Sequence, residues 1–282
     1  MRRPLVMPAL LFAIATCLGF GSARGGDLPR DFATKYQPAA ANMQKVYSNA
    51  TIIGTLKREF PPQKKLLEQR YIYRAAGINV RLDVTTTADH GMGHVVNSSE
   101  AFIATGIGSL TAYTGPTSDV FDTATEISYN QAVSRIENGC PLLTPYKAVG
   151  ETSLLEMLKL PNVKVDSVQK ITIEGEPLVK VTYDESSGQR NQPAHRSWYV
   201  LSPSEGWAVR EYSRSTGTGD NIVLHRGILR YDGMHDGVPL LSHIECWQEQ
   251  GAKRVCLMRE TVDISSFSPL PADDYWFTAW TF

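Results

Sequence analysis

In residues 77–85, Ile78, Val80, Leu82 and Val84 alternate strictly with Asn79, Arg81, Asp83 and Thr85. A period of two is that of a strand with one buried and one wet face, and an amphipathic helix cannot produce it. The pattern recurs on both sides of turn residues. Ile171 and Ile173 lead into Glu174-Gly175-Glu176-Pro177, and Val179, Val181 and Tyr183 lead out. Residues 199–213 fold back around Pro203-Ser204-Glu205-Gly206. There Pro203 presets φ for a type I turn, and Gly206 can take the left-handed conformation that returns the chain. Residues 221–231 read as a further strand, and 240–264 as a hairpin turning near Gly251. Strands this close together, with no helices between them, exclude a parallel βαβ architecture, so the expected sheet is antiparallel.

Helical signals are few. Ser128 and Gln131 have capping-box spacing, Tyr129, Ala132, Val133 and Ile136 form one apolar stripe, and Gly139 and Pro141 end it. A shorter helix is expected from Ser153, with Glu156 three residues on, to Pro161. Another is expected to begin at Pro38, a residue suited to a first helical turn, and to carry Met43, Val46 and Tyr47. Such short helices suit elements laid over a sheet, which makes the fold class α+β and mainly antiparallel β.

The N-terminus carries Arg2 and Arg3, an apolar run from Leu5 to Phe20 and a small-residue cleavage site at Gly21-Ser22-Ala23. This is the form of a secretory signal peptide over residues 1–23, and it implies a periplasmic or secreted protein. The run is too short for a membrane span, and no later stretch is long and apolar enough to be one. Ile14-Ala15-Thr16-Cys17 is an alternative processing signal, an imperfect lipobox that would leave a lipoprotein anchored at Cys17. Cleavage after Ala23 changes the formal net charge from −1 to −3, so nothing favours nucleic acid or an anionic membrane surface. Residues 24–282 contain no linker composition and read as one β-rich domain with a helical insert near 128–160. The basic run 56–65 reads as a solvated strand end and loop.

Catalytic and metal signals are weak. His90 and His94 are the only close histidine pair, and the glycines between them with no third ligand nearby suit a solvated turn better than a zinc site. His195, His225, His235 and His243 are dispersed, and pairs such as Asp273-Asp274 sit beside turn residues. No nucleophile elbow, zinc-protease helix, Walker loop or dinucleotide fingerprint occurs, so neither an enzyme nor a cofactor is expected. Cys246 and Cys256 are equidistant from Gly251, which makes them candidates for a cross-strand disulfide in an oxidising compartment. The alternative is two small buried hydrophobes. Cys140 has no evident partner.

Three stretches carry a family resemblance: residues 197–212 around the Pro203 turn, the strand entry 237–247, and the ending 260–278 with Phe267. Together with the signal peptide and the order of hairpins and helices, they make the chain similar to the LolA-like superfamily of outer-membrane lipoprotein-sorting and periplasmic lipid-binding proteins. The resemblance implies an incomplete, curved β half-barrel covered by short helices, with an apolar cavity for acyl chains. The candidate lining is Val80, Leu82, Val84, Val179 and Val181 on the sheet, covered by Met43 and Val46 of the first helix. The implied function is an exported protein, a carrier or chaperone, that binds a lipid, acyl chain or other amphiphile, with an envelope protein as a second partner. Two alternatives are an extracytoplasmic interaction or sensor module without a ligand, and a hydrolase assembled from dispersed His, Ser and Asp.

Overall fold

The structure is a computed structural model that describes residues 30–89, 95–106, 108–114, 123–143, 145, 153–161, 163–185, 195–216 and 222–269. The signal peptide, Cys17, His90, His94, Asp273 and Asp274 lie outside the described residues. The chain begins with helix α1 (Arg30–Tyr47) and six strands: β1 (Ala50–Phe60), β2 (Lys65–Ala76), β3 (Asn79–Asp89), β4 (Val95–Ala104), β5 (Ser109–Thr114) and β6 (Thr123–Glu126). Helices α2 (Tyr129–Gly139) and α3 (Leu154–Met157) follow, with a 3₁₀ turn at Pro141–Leu143 between them. Seven more strands follow among the described residues: β7 (Val163–Ile173), β8 (Glu176–Glu185), β9 (His195–Ser202), β10 (Ala208–Thr216), β11 (Val223–His235), β12 (Val238–Gln250) and β13 (Lys253–Pro269).

All 13 strands form one antiparallel sheet in the order β6-β5-β4-β3-β2-β1-β13-β12-β11-β10-β9-β8-β7. It consists of two hairpin meanders, β1–β6 and β7–β13, zipped together by the pairing of β1 with β13. The sheet is open, with β6 and β7 at its two edges. It is nevertheless curved, because buried side chains from β3 near one flank and β8 near the other share one apolar core with all three helices. Register shifts that leave an extra residue on β7, β10, β11, β12 and β13 supply local bends of the kind that β-bulges impose. The architecture is the expected half-barrel with helices on its concave side.

The helix caps follow the sequence. Ser128 Oγ accepts from the Gln131 amide at 3.3 Å and Gln131 Oε1 accepts from the Ser128 amide at 3.0 Å, which closes the capping box. Ser153 Oγ likewise accepts from the Glu156 amide at 3.3 Å. Helix α1 differs from expectation: it starts at Arg30, and Pro38 lies inside it. Phe32, Tyr36, Ala40, Met43 and Tyr47 form one buried stripe along its length. Phe32 stacks on Tyr36 at 5.1 Å, and both meet the Trp207 ring edge-on at 5.6 and 6.2 Å. Proline inside a helix costs about 3 kcal/mol, whereas burying each large aromatic contributes about 1.5–3 kcal/mol. The N-terminal half of α1 therefore forms despite Pro38, which faces solvent. Pro38→Ala is expected to raise stability by about 1 kcal/mol or more, read as a higher urea midpoint at unchanged slope.

Candidate functional site

Directly opposed residues in the ladder share a face of the sheet, so the register identifies every inward side chain. Val80, Leu82 and Val84 of β3 face Ala75, Tyr73 and Tyr71 of β2. Val179 and Val181 of β8 face Leu201 and Tyr199 of β9. All five are inward, as their alternation requires; Leu82 and Val181 are 0% exposed, and Val80 is half-buried. The two groups lie near opposite flanks of the sheet and contribute to the same core. The element packed over β3 is α2, which also contacts β4 and β5. Met43 and Val46 belong to α1, which crosses the strand ends. There Tyr47 meets Phe267 at 5.7 Å, Tyr73 donates to the Tyr47 carbonyl at 3.1 Å, and Phe32 meets Trp207. The expected single cover is thus divided between two helices, because the stripe on α1 is drawn to Trp207 and Phe267.

The aromatics around the Pro203 turn divide in the same way. Gly206 at φ 64° returns the chain, and the Trp207 that follows packs on α1. Tyr199 and Tyr212 point inward instead. Tyr183 stacks on Tyr199 at 5.9 Å, Tyr199 meets Tyr212 at 6.3 Å, and Tyr212 lies over Gly227 of β11, so close that a Cβ there would sit 2.0 Å from its ring. The Tyr212 hydroxyl is 4.0 Å from Cys246 Sγ on β12. This row of tyrosines runs across the concave face from β8 to β10.

Along the central strands, burial falls from the α1 end toward the opposite end. Inward positions on β1 pass from buried Leu56 to half-buried Arg58 and Phe60, and those on β2 from Tyr71 to Gln69 and Leu67. On β13 buried Glu260 gives way to half-buried Met258, and on β11 buried Gly227 to exposed His225. The end of the concave face opposite α1, called the mouth below, is therefore half-buried, with apolar and polar inward side chains side by side. A polar chain crosses it. Gln69 donates to Thr86 Oγ1 at 3.0 Å, the Tyr71 hydroxyl donates to Gln69 Oε1 at 2.7 Å, Arg58 hydrogen-bonds Tyr71, and Arg58 Nε donates to Glu260 Oε1.

Glu260 is 0% exposed, and its Oε2 is buried with no hydrogen-bond partner. The Arg58 side chain is 21% exposed. Burial pushes the Glu260 carboxyl above the usual carboxylate range, and Arg58 opposes that shift without cancelling it. The Tyr71 hydroxyl is raised by burial, and the Cys246 thiol is pushed up to about 11 by burial and then by Glu260. The reading of 56–65 as a solvated strand end and loop holds for Lys57, Glu59 and residues 61–64, which are exposed, and is corrected at Arg58, an inward residue in a partly buried ion pair. Its signal was legible: Ile52, Gly54 and Leu56 set the inward parity of β1, and Arg58 continues it.

Cys246 and Cys256 are free thiols in the structure. The β12–β13 turn has two residues, Gly251 and Ala252, and a bulge follows, so Cys246 faces Met258 and Cys256 faces Trp247. The symmetric placement expected from the sequence is displaced by this shift. Of the histidines, His225 is exposed, while the His235 ring lies tilted against Phe267 at 4.5 Å and His243 is half-buried 3.5 Å from Glu245. Among the described residues no three His, Cys, Asp or Glu side chains gather as metal ligands. No described helix is long and apolar enough to cross a membrane.

No family model and no curated protein matches the chain. Solved structures similar to it include the following two. One is a DUF1329 family protein from Desulfovibrio piger, at 9% identity and a TM-score of 0.44, with 86% of this chain and 95% of that one covered. The other is an outer membrane lipoprotein-sorting protein domain from Vibrio parahaemolyticus, at 9% identity and a TM-score of 0.41, with 86% and 97% covered. Similarity at this level concerns the overall fold and assigns no ligand or residue to this chain.

Proposed function

We propose that this is an exported carrier or chaperone that binds an acyl chain or another amphiphile on the concave face of its half-barrel, through the mouth at the end opposite α1. The observation that carries the reading is the gradient of burial along the inward face. A largely apolar inward face leads out to half-buried Phe60, Leu67 and Met258, beside the Arg58–Glu260 pair and the half-buried inward cations Lys65 and Arg214. Concave, mostly apolar sites with a few polar groups suit amphiphilic ligands, and methionine offers an adaptable surface to a ligand without fixed shape. The tail runs from the mouth toward Val84, Leu82, Val179 and Val181, with Met43 and Val46 closing the far end. Six to eight buried methylenes contribute about 5–6 kcal/mol before ordering costs.

Leu82 is fully packed, so changing it would test folding more than binding. Met258 is half-buried at the mouth and is the better probe. With the neutral dye N-phenyl-1-naphthylamine, wild type is expected to show saturable fluorescence enhancement. Met258→Asp, checked for folding by circular dichroism, is expected to bind about tenfold or more weakly, since a carboxylate opposes apolar entry. Absence of saturable binding by wild type, or equal binding by the folded variant, would overturn the proposal.

A further inference from the structure

We infer that Arg58 anchors the anionic head of the bound amphiphile, and that Glu260 is a built-in counter-ion from which the head displaces it. The inference rests on the proposed amphiphile site and adds the chemical class of its ligand. Arg58 is the inward cation that holds a buried carboxylate; it lies beside half-buried Phe60 and opposite half-buried Leu67, and half-buried Lys65 (opposite Phe60) and Arg214 (opposite His225) share its face. A head held there would leave its tail on the apolar floor. A guanidinium carries five N–H donors, and Glu260 and Tyr71 each engage it from inside the sheet, while part of the side chain stays open to solvent. Glu260 has no solvent contact, and its Oε2 is buried without a hydrogen-bond partner. Among the described residues its hydrogen-bond partner is Arg58.

A second anion on Arg58 would leave Glu260 as an uncompensated buried charge, which is too costly to persist. Glu260 therefore takes one proton from the solvent as the head binds, and returns it when the ligand leaves. The groups that act on Glu260 are Arg58 from β1, Tyr71 from β2 and Cys246 and His243 from β12, with Cys140 acting on Tyr71. Burial already biases the carboxyl toward the protonated form. The expected signature is proton uptake on binding, which makes affinity for a permanently charged ligand fall as pH rises above the point where Glu260 ionises. The slope is at most about tenfold per pH unit, the limit for one proton.

The test uses the full mature chain and two probes of equal tail length. N-dodecanoyltaurine keeps its sulfonate charged at all working pH values, and N-dodecanoylethanolamine is its neutral counterpart. Titration calorimetry of wild type in phosphate and in Tris is expected to show uptake of up to one proton with the charged probe and none with the neutral one. At low pH the charged probe is expected to bind about tenfold tighter than the neutral one, in line with a charge-assisted pair. Glu260→Gln is expected to bind the charged probe more tightly than wild type and without pH dependence, and Arg58→Gln to lose the preference for charge. Inorganic sulfate is expected to compete weakly; competition as strong as that of the charged probe would make this a simple anion site and overturn the inference. Equal binding of both probes, or no proton uptake by wild type, would overturn the anchor while leaving amphiphile binding intact. Binding of neither probe would overturn both.

Discussion

Arg58→Ala is expected to cost about 3 kcal/mol at pH 7 and almost nothing near pH 4.5, with the loss measured by urea denaturation across that range. Without the guanidinium, Glu260 is a buried carboxylate with no counter-charge, and it escapes that state by taking a proton. The penalty is then limited to the work of protonating a group whose ordinary pKa is 4.5, which is about 1.4 kcal/mol per pH unit above that value. The sign follows from the direction of the shift. The folded-state pKa is raised, so the variant's stability is fully present below the unfolded value and is lost as pH rises through the folded one. Wild type should show the same slope in weaker form, because Arg58 offsets part of the burial. Replacing both partners with apolar residues, Arg58→Met with Glu260→Leu, is expected to cost less than Arg58→Ala alone, since no charge is then left behind. A loss for Arg58→Ala that is the same at pH 5 and pH 7 would show that packing of the arginine stem, rather than the stranded charge, sets its cost.

Gly227→Ala is expected to destabilise the protein by about 3 kcal/mol, the upper part of the usual range for overpacking. Glycine is not needed here for its backbone, because Gly227 does not have a positive φ and alanine could adopt its conformation. The difficulty is space: an added Cβ would lie 2.0 Å from Tyr212 Cε1 and 2.4 Å from Cζ. The ring would have to move, giving up its contact with Tyr199 and exposing a residue now only 7% accessible. Tyr212→Ala removes the obstacle, so Gly227→Ala should cost much less in that background, with a coupling of about 1 kcal/mol or more in a double-mutant cycle. Additive losses would mean that the tyrosine and the glycine are not a packing pair.

The mouth and its ion pair are partly legible in the chain itself. Val262 and Ile264 mark the inward parity of β13, and Glu260 lies on that parity as Arg58 does on β1. A charged residue on the apolar side of a strand is a signal in itself, and Arg58 and Glu260 both give it. Their meeting is not legible, because they are 202 residues apart and join only through the β1–β13 pairing that zips the two meanders.

Local physics is readable from the chain: the period of two in the strands, Gly206 at its turn, and the caps at Ser128 and Ser153 all depend on residues within a few positions of one another. What lies across the sheet was decided by the tertiary structure. Helix α1 extends through Pro38 because Trp207, far away in sequence, offers Phe32 and Tyr36 a surface worth more than one lost backbone hydrogen bond. Cys246 faces Met258 because a two-residue turn and one bulge moved the register, and period-two patterning cannot count such insertions. Alternation states which side of a strand is buried; only the pairing of all 13 strands states what is buried against it.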